Sequence, residues 1–192
     1  MKSVLISIKP KWVEKIVSGE KTIEVRKTAP KEVPFKAYIY CTKGKDGYEW
    51  LYRVDNNGYG KAQSWHSKVI GEFICDKVYN LVNAFGGIMF ADENLNQSEP
   101  QLFRDMSCLT DEQTADYLGD KDGYGWHISD LKIYDKPKEL SEFFKPCPTK
   151  EKGDCLSCDC LADNDYGGVC TNNLTRPPQS WCYVEELCKA QN

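Results

Sequence analysis

Hydrophobic positions along the chain fall into short alternating runs broken by turn residues, the pattern of a protein built mainly from strands. Val4, Leu5, Ile6, Ser7 and Ile8 predict a strand. Pro10 then opens a helix in which Trp12, Val13, Ile16 and Val17 share one face, and Gly19 ends it. Across residues 21–27, Thr22, Glu24 and Arg26 alternate with Ile23 and Val25, which predicts a half-buried strand whose polar side chains point together. Residues 35–41 predict another strand, and residues 69–81 a further long one carrying Ile70, Phe73, Ile74 and Val78. Between these two, residues 48–54 and the Asp55-Asn56-Asn57-Gly58 that follows have the residues of a hairpin arm and its turn. This reads as an insertion at about 43–67.

Residues 82–109 predict mainly loop with a short helix near 102–106. Thr110-Asp111-Glu112-Gln113 has the form of a capping box that starts a helix running to about Leu118. Gly123-Tyr124-Gly125-Trp126-His127-Ile128 leads into a strand through Leu131 and Ile133, and Pro137 precedes a short amphipathic helix over 140–144. After Pro146 the character changes, with seven of the ten cysteines in the remaining residues, amid Pro, Gly, Asp and Asn and few aliphatic side chains. Such a loop-rich segment buries little apolar area and needs cross-links, metal or docking on the main domain. The expected organisation is one domain over 1–145 and a cysteine-rich appendage over 146–192, ending in a strand that packs on the domain.

Composition narrows the class. At 192 residues, 41% hydrophobic and 28% charged, the chain is a globular protein, and 12% aromatic residues favour a β-rich core. A net charge of -4 argues against a protein that coats nucleic acid nonspecifically. The charge is unevenly spread, however: residues 1–36 hold nine Lys and Arg against four Glu, a basic third on an acidic body that suits one localised anionic ligand. The opening residues lack the form of a signal peptide and no stretch is long enough to span a membrane, so the expected location is the cytoplasm, with cysteines reduced or bound to metal.

The chemistry-bearing residues concentrate near the start. Glu24 and Arg26 share a strand face; the planar fork of Arg26 suits a phosphate or base edge, and Glu24 can orient it or accept from a ligand amino group. A surface ion pair is the plain alternative. Ser7 and Lys9, at the exit of the first strand, offer a hydroxyl and a charge, and Tyr40, Trp65 and Trp126 are candidates for stacking on a base. In the tail, Cys155-Leu156-Ser157-Cys158 is a knuckle that Cys160 or Cys147 together with Cys170 could complete to four thiolates around a structural zinc; packing cysteines and disulfides are the alternatives.

Gly19, Lys21, Glu24 and Arg26 match the Gly-x-Lys-x-x-Glu-x-Arg signature of the ASCH domain, a branch of the PUA-like superfamily. Lys9-Pro10-Lys11, Val69-Ile70-Gly71-Glu72-Phe73 and residues 123–133 also resemble segments of these domains, and residues 176–183 resemble an ending found in phage and bacterial members. The resemblance implies an α+β fold, a β-barrel with flanking helices, with a cleft beside the motif that binds RNA or a modified nucleotide. Some members are amidohydrolases that deacetylate N4-acetylcytidine with a lysine, a threonine and a glutamate. Lys21 and Glu72 stand where the lysine and glutamate would be, whereas Glu24 occupies the threonine position. A carboxylate there is a poor substitute for a hydroxyl nucleophile, which favours binding over hydrolysis. The expected ligand residues are Ser7, Lys9, Lys21, Glu24, Arg26 and Trp126, with Lys21 and Glu72 as the acid/base pair of the hydrolase alternative, or of a ribonuclease. A phage-related regulatory or interaction protein is the third reading.

Overall fold

The computed structural model describes residues 1–44, 51–54, 60–84, 87–91, 100–119, 121–147, 161–162, 169–170 and 172–185; for 51–54, 60–63, 84, 161–162 and 169–170 it describes the backbone alone. In chain order the elements are β1 (Ser3–Ile8), α1 (Pro10–Val17), β2 (Ile23–Arg26), β3 (Phe35–Cys41), β4 (Leu51–Val54), β5 (Gly60–Gln63), β6 (Lys68–Cys75), β7 (Val78–Ala84) and β8 (Gly87–Phe90). They continue with α2 (Pro100–Ser107), α3 (Asp111–Leu118), β9 (Gly123–His127), β10 (Ser129–Glu139), a 3-10 turn (Leu140–Glu142), β11 (Leu161–Ala162), β12 (Val169–Cys170) and β13 (Trp181–Val184). No helix among the described residues is long and apolar enough to cross a membrane.

The fold is α+β. A five-stranded sheet runs β10-β6-β3-β1-β13 and a four-stranded sheet runs β2-β9-β7-β8, with β4-β5 and β11-β12 as separate two-stranded ribbons. Among the described strands only β1 and β3 pair in parallel; the other pairs are antiparallel. The two large sheets face one another in a barrel-like arrangement, without a ladder of hydrogen bonds joining them among the described residues. Ile6, Ile8, Phe35, Ile39 and Phe73 of the first sheet meet Trp126 of the second, and Val13 and Ile16 of α1 join the same cluster. The Trp126 ring stands edge-on to Phe35 at 5.0 Å and to Trp181 at 5.6 Å.

Each sheet is covered on its outer face as well. Leu5, Tyr38, Tyr40, Val69 and Val184 of the first sheet pack against Phe143 and Leu174 outside it, while Ile23, Val25 and Leu81 pack against Phe103 of α2 and Leu118 of α3 outside the second. Double coverage explains why β3 reads as a near-continuous apolar run. It also corrects the expectation of a half-buried strand at 21–27, because all four residues of β2 are buried.

Two long predicted strands turn out to be four. The run 69–81 breaks at Asp76 and Lys77, so β6 lies in the first sheet and β7 in the second; the run 123–133 likewise breaks at Ile128, between β9 and β10. The two breaks are fastened together. His127 Nδ1 lies 2.6 Å from Asp76 Oδ1, the His127 N–H donates to the Lys77 carbonyl at 2.9 Å, and Ser129 Oγ donates to the Ile74 carbonyl at 2.8 Å. The chain therefore changes sheets twice at one corner.

Local signals read correctly where they were strongest. Thr110 caps α3 with both halves of the capping box formed, as its sequence requires. Gly19 follows α1 at φ +78, a left-handed conformation natural to glycine, and its N–H donates back to the Ile16 carbonyl. The insertion forms the β4-β5 ribbon, Leu51 opposite Gln63; its Asp55-Asn56-Asn57-Gly58 turn lies outside the described residues. The predicted helix over 140–144 is a single 3-10 turn, and Pro137 belongs to β10.

Candidate functional site

β2 is an edge strand of the second sheet, and its polar side chains enter the space between the sheets near the end of β1. Glu24 pairs across the ladder with Trp126, so the two side chains leave the same face. Lys21, Glu24 and Arg26 are 2%, 4% and 7% exposed, which replaces the surface ion pair by a buried triad. Arg26 Nη1 donates to Glu24 Oε1 at 2.5 Å, and Lys21 Nζ stands 3.4 Å from Glu24 Oε2.

The rest of the triad's bonding capacity is largely spent on the protein. Lys21 Nζ donates to the Ser107 carbonyl at 2.6 Å and sits 5.3 Å from the centre of the Trp12 ring. Burial holds the Lys21 ammonium below its ordinary pKa, with the adjacent Glu24 carboxylate opposing that shift. Arg26 Nη1 also reaches the Val25 carbonyl at 3.0 Å, and Nη2 donates to the Ser7 carbonyl at 2.7 Å. The Arg26 fork expected to hold a ligand thus ties β2 to β1. Within the triad, Arg26 Nε is buried without a hydrogen bond among the described residues, and Glu24 Oε2 has none beyond its ion pair with Lys21 Nζ.

These residues line a cleft of about 870 Å³. Its basic lining residues are Lys9, Lys11, Lys21, Arg26 and Lys43, against Glu24 and Asp116 as acidic ones. The net positive lining stands out on a chain of charge -4. Lys9, Lys11 and Lys43 are exposed at the rim, and Gln113, Asp116 and Tyr117 of α3 form one wall. Gln179 and Ser180 also line the cleft, held because the Ser7 N–H donates to the Ser180 carbonyl at 2.9 Å and Ser7 Oγ to the Pro178 carbonyl at 2.6 Å. β13, which follows directly, pairs with β1 along Ser3 to Ile6. A second hollow of about 590 Å³ lies near Met1, Lys36 and Tyr183 and has mixed charge.

The structure brings Ser7, Lys9, Lys21, Glu24 and Arg26 together and leaves Glu72 and Trp126 out of the lining. Glu72 sits opposite Tyr38 in the β3-β6 ladder, on the face turned away from Phe73 and the inter-sheet core. Its carboxylate accepts from Tyr134 Oη at 2.5 Å and lies 3.5 Å from Lys36 Nζ, so it does not pair with Lys21. Trp126 is fully buried, and Tyr40 and Trp65 are 5% and 4% exposed, so all three suggested stacking residues are core side chains. The Ser7 hydroxyl is engaged by Pro178.

Sequence reasoning missed Trp12 and Tyr117 as cleft residues. Trp12 shares the apolar face of its helix with Val13, Ile16 and Val17, yet it is half-buried and also lines the cleft. Tyr117 carried a usable signal: it falls on the polar side of α3 with Gln113 and Asp116, opposite the buried Thr114 and Leu118. Of the expected zinc ligands, Cys155, Cys158 and Cys160 lie outside the described residues, Cys170 is described by backbone alone, and the Cys147 N–H donates to Glu185 Oε2 at 3.3 Å. Among the described residues no three His, Cys, Asp or Glu side chains form a metal-binding group.

No protein-family model and no curated protein sequence matches the chain. Its fold, by contrast, is that of solved ASCH proteins. The ASCH protein of Zymomonas mobilis superposes with a TM-score of 0.53 at 17% identity, covering 96% of this chain and 88% of that one. Two variants of the same protein, a tyrosine-to-phenylalanine and a serine-to-alanine mutant, each give 0.52 at 17% identity, covering 96% of this chain and 91% and 89% of theirs.

Proposed function

We propose that the cleft lined by α1, α3 and residues 179–180 binds RNA or a modified nucleotide, held by a nucleobase edge at its floor and by phosphate at its rim. The observation that carries this reading is the buried Glu24–Arg26 pair at the floor of a basic cleft, where Arg26 Nε has no hydrogen bond among the described residues and Glu24 Oε2 has only its 3.4 Å ion pair with Lys21 Nζ. A buried polar atom without a hydrogen bond costs about 1–3 kcal/mol, which a ligand bringing the matching groups recovers. A carboxylate oxygen accepts from an exocyclic amino group and an Arg N–H donates to a ring nitrogen or carbonyl, and nucleobases display such groups side by side. The exposed Lys9, Lys11 and Lys43 supply the phosphate attraction. The ASCH-type fold and the Gly-x-Lys-x-x-Glu-x-Arg resemblance support the same reading.

The test uses rim residues, because changes in the triad would also disturb folding. Titrating a fluorescent single-stranded oligoribonucleotide should give weaker binding and a shallower salt dependence in Lys9→Glu, Lys11→Glu and Lys43→Glu than in the natural chain. Affinity and salt slope that stay the same in all three would sink the assignment.

A hydrolytic reading draws on one observation, the buried Lys21 amine whose pKa is lowered beside a carboxylate. Against it, Glu72 is engaged by Lys36 and Tyr134, so the acid/base partner would have to be Glu24. Following the absorbance of N4-acetylcytidine decides this version; turnover no faster than with Lys21→Met removes it.

A further inference from the structure

Resting on the reading of the cleft as a nucleotide site, a second feature specifies how the base is held. Among the described residues the exposed large apolar or aromatic side chains are Met1, Val33, Leu102 and Tyr117, and of these only Tyr117 lines the cleft. Its 37% exposure does not come from a frayed helix end. α3 is capped by Thr110 at one end, Thr114 Oγ1 donates to the Thr110 carbonyl at 2.9 Å, and Leu118, the next residue after Tyr117, is buried in the cluster under the second sheet. The backbone carrying the ring is therefore fixed while the ring faces solvent in a polar, basic cleft.

Lys27 Nζ lies 5.5 Å from the centre of the Tyr117 ring. Lys27 follows Arg26 directly, so the cation over the ring comes from the residue just beyond the strand that carries Glu24 and Arg26. An exposed aromatic ring with an ammonium over one face, in a cleft that also holds the donor and acceptor groups of Arg26 and Glu24, matches the needs of a nucleotide: a remaining face to stack on, an edge to read and a charge for phosphate. We infer that Tyr117 is the surface on which one unpaired base stacks, with Lys27 placed for the phosphate of that nucleotide. Stacking needs a base free of its partner strand, so the preferred ligand is single-stranded or a single nucleotide, and a duplex is excluded from this position.

Binding of a short single-stranded oligoribonucleotide, the same strand with abasic sites, and its duplex to the full chain tests the inference. Tyr117→Ala should weaken binding of the intact strand about tenfold and leave the abasic strand unchanged, Tyr117→Phe should stay within about twofold, and Lys27→Ala should weaken both strands. Duplex bound as tightly as single strand, or Tyr117→Ala without effect while Lys9→Glu and Lys43→Glu lose binding, overturns the stacking role and leaves the cleft reading standing. Loss of neither by charge reversal nor by Tyr117→Ala overturns both.

Discussion

Arg26 Nη2 donates to the main-chain carbonyl of Ser7 at 2.7 Å, so one side chain joins the edge strand of one sheet to the end of the first strand of the other. Ser7 is in turn bonded to Pro178 and Ser180, which makes Arg26 the link between the motif strand and the C-terminal wall of the cleft. The motif is thus part of the framework as well as of the site.

Arg26→Ala should therefore cost about 3–5 kcal/mol of stability, because it leaves the Glu24 carboxylate buried with Lys21 alone and cuts the tie to β1. Urea unfolding followed by tryptophan fluorescence measures it. Lys9→Glu, at an exposed rim position, should leave the midpoint within experimental error.

Two glycines should respond differently to alanine. At Gly19 an added Cβ meets nothing within 4 Å, so the cost is that of a left-handed backbone, about 1–2 kcal/mol. At Gly71 the Cβ would come within 2.5 Å of the Lys132 carbonyl oxygen, a backbone atom of the neighbouring strand that cannot step aside. Gly71→Ala should lower the melting temperature more than Gly19→Ala does; the reverse order contradicts the close approach of β6 and β10.

Lys21 sets a pH dependence. Its folded-state pKa is below the ordinary 10.5, so as pH falls through 10.5 the unfolded chain takes up the proton first and the folded state loses stability until the folded pKa is reached. Lys21→Met removes this term. The stability of Lys21→Met relative to the natural chain should accordingly be more favourable at pH 7.5 than at pH 10, by urea unfolding at both; an unchanged difference contradicts the burial of the ammonium.

Cys41 and Cys75 are buried thiols whose pKa burial pushes up to about 12. At pH 8 neither should react with a disulfide reagent until the protein unfolds, whereas the partly exposed Cys108 should label in the native state. Mass spectrometry of labelled peptides distinguishes them.

What could be read from the chain alone was what neighbours in sequence decide. The capping box at Thr110 and Gln113 is closed within four residues, and the stop at Gly19 follows from backbone chirality. That Glu24 and Arg26 share a face followed from strand alternation, whereas Lys21 joined them only through the motif resemblance, which also pointed to an ASCH-type fold. The split of residues 69–81 was hidden, because Asp76 and Lys77 break the strand only by pairing with the corner at His127.

The sequence by itself determined the helix ends, the strand periodicity and which polar residues share a face, since these depend on φ, ψ and a two-residue repeat. Only the tertiary structure decided which way each face turned. Both sheets are covered on both sides, so alternation could not tell that Glu72 points away from Lys21, that Trp126 fills the core, or that the polar face of α3 brings Tyr117 to the cleft. Those outcomes depend on contacts between residues distant in the chain, whose burial is set by packing of whole sheets and helices and leaves little trace in any local pattern.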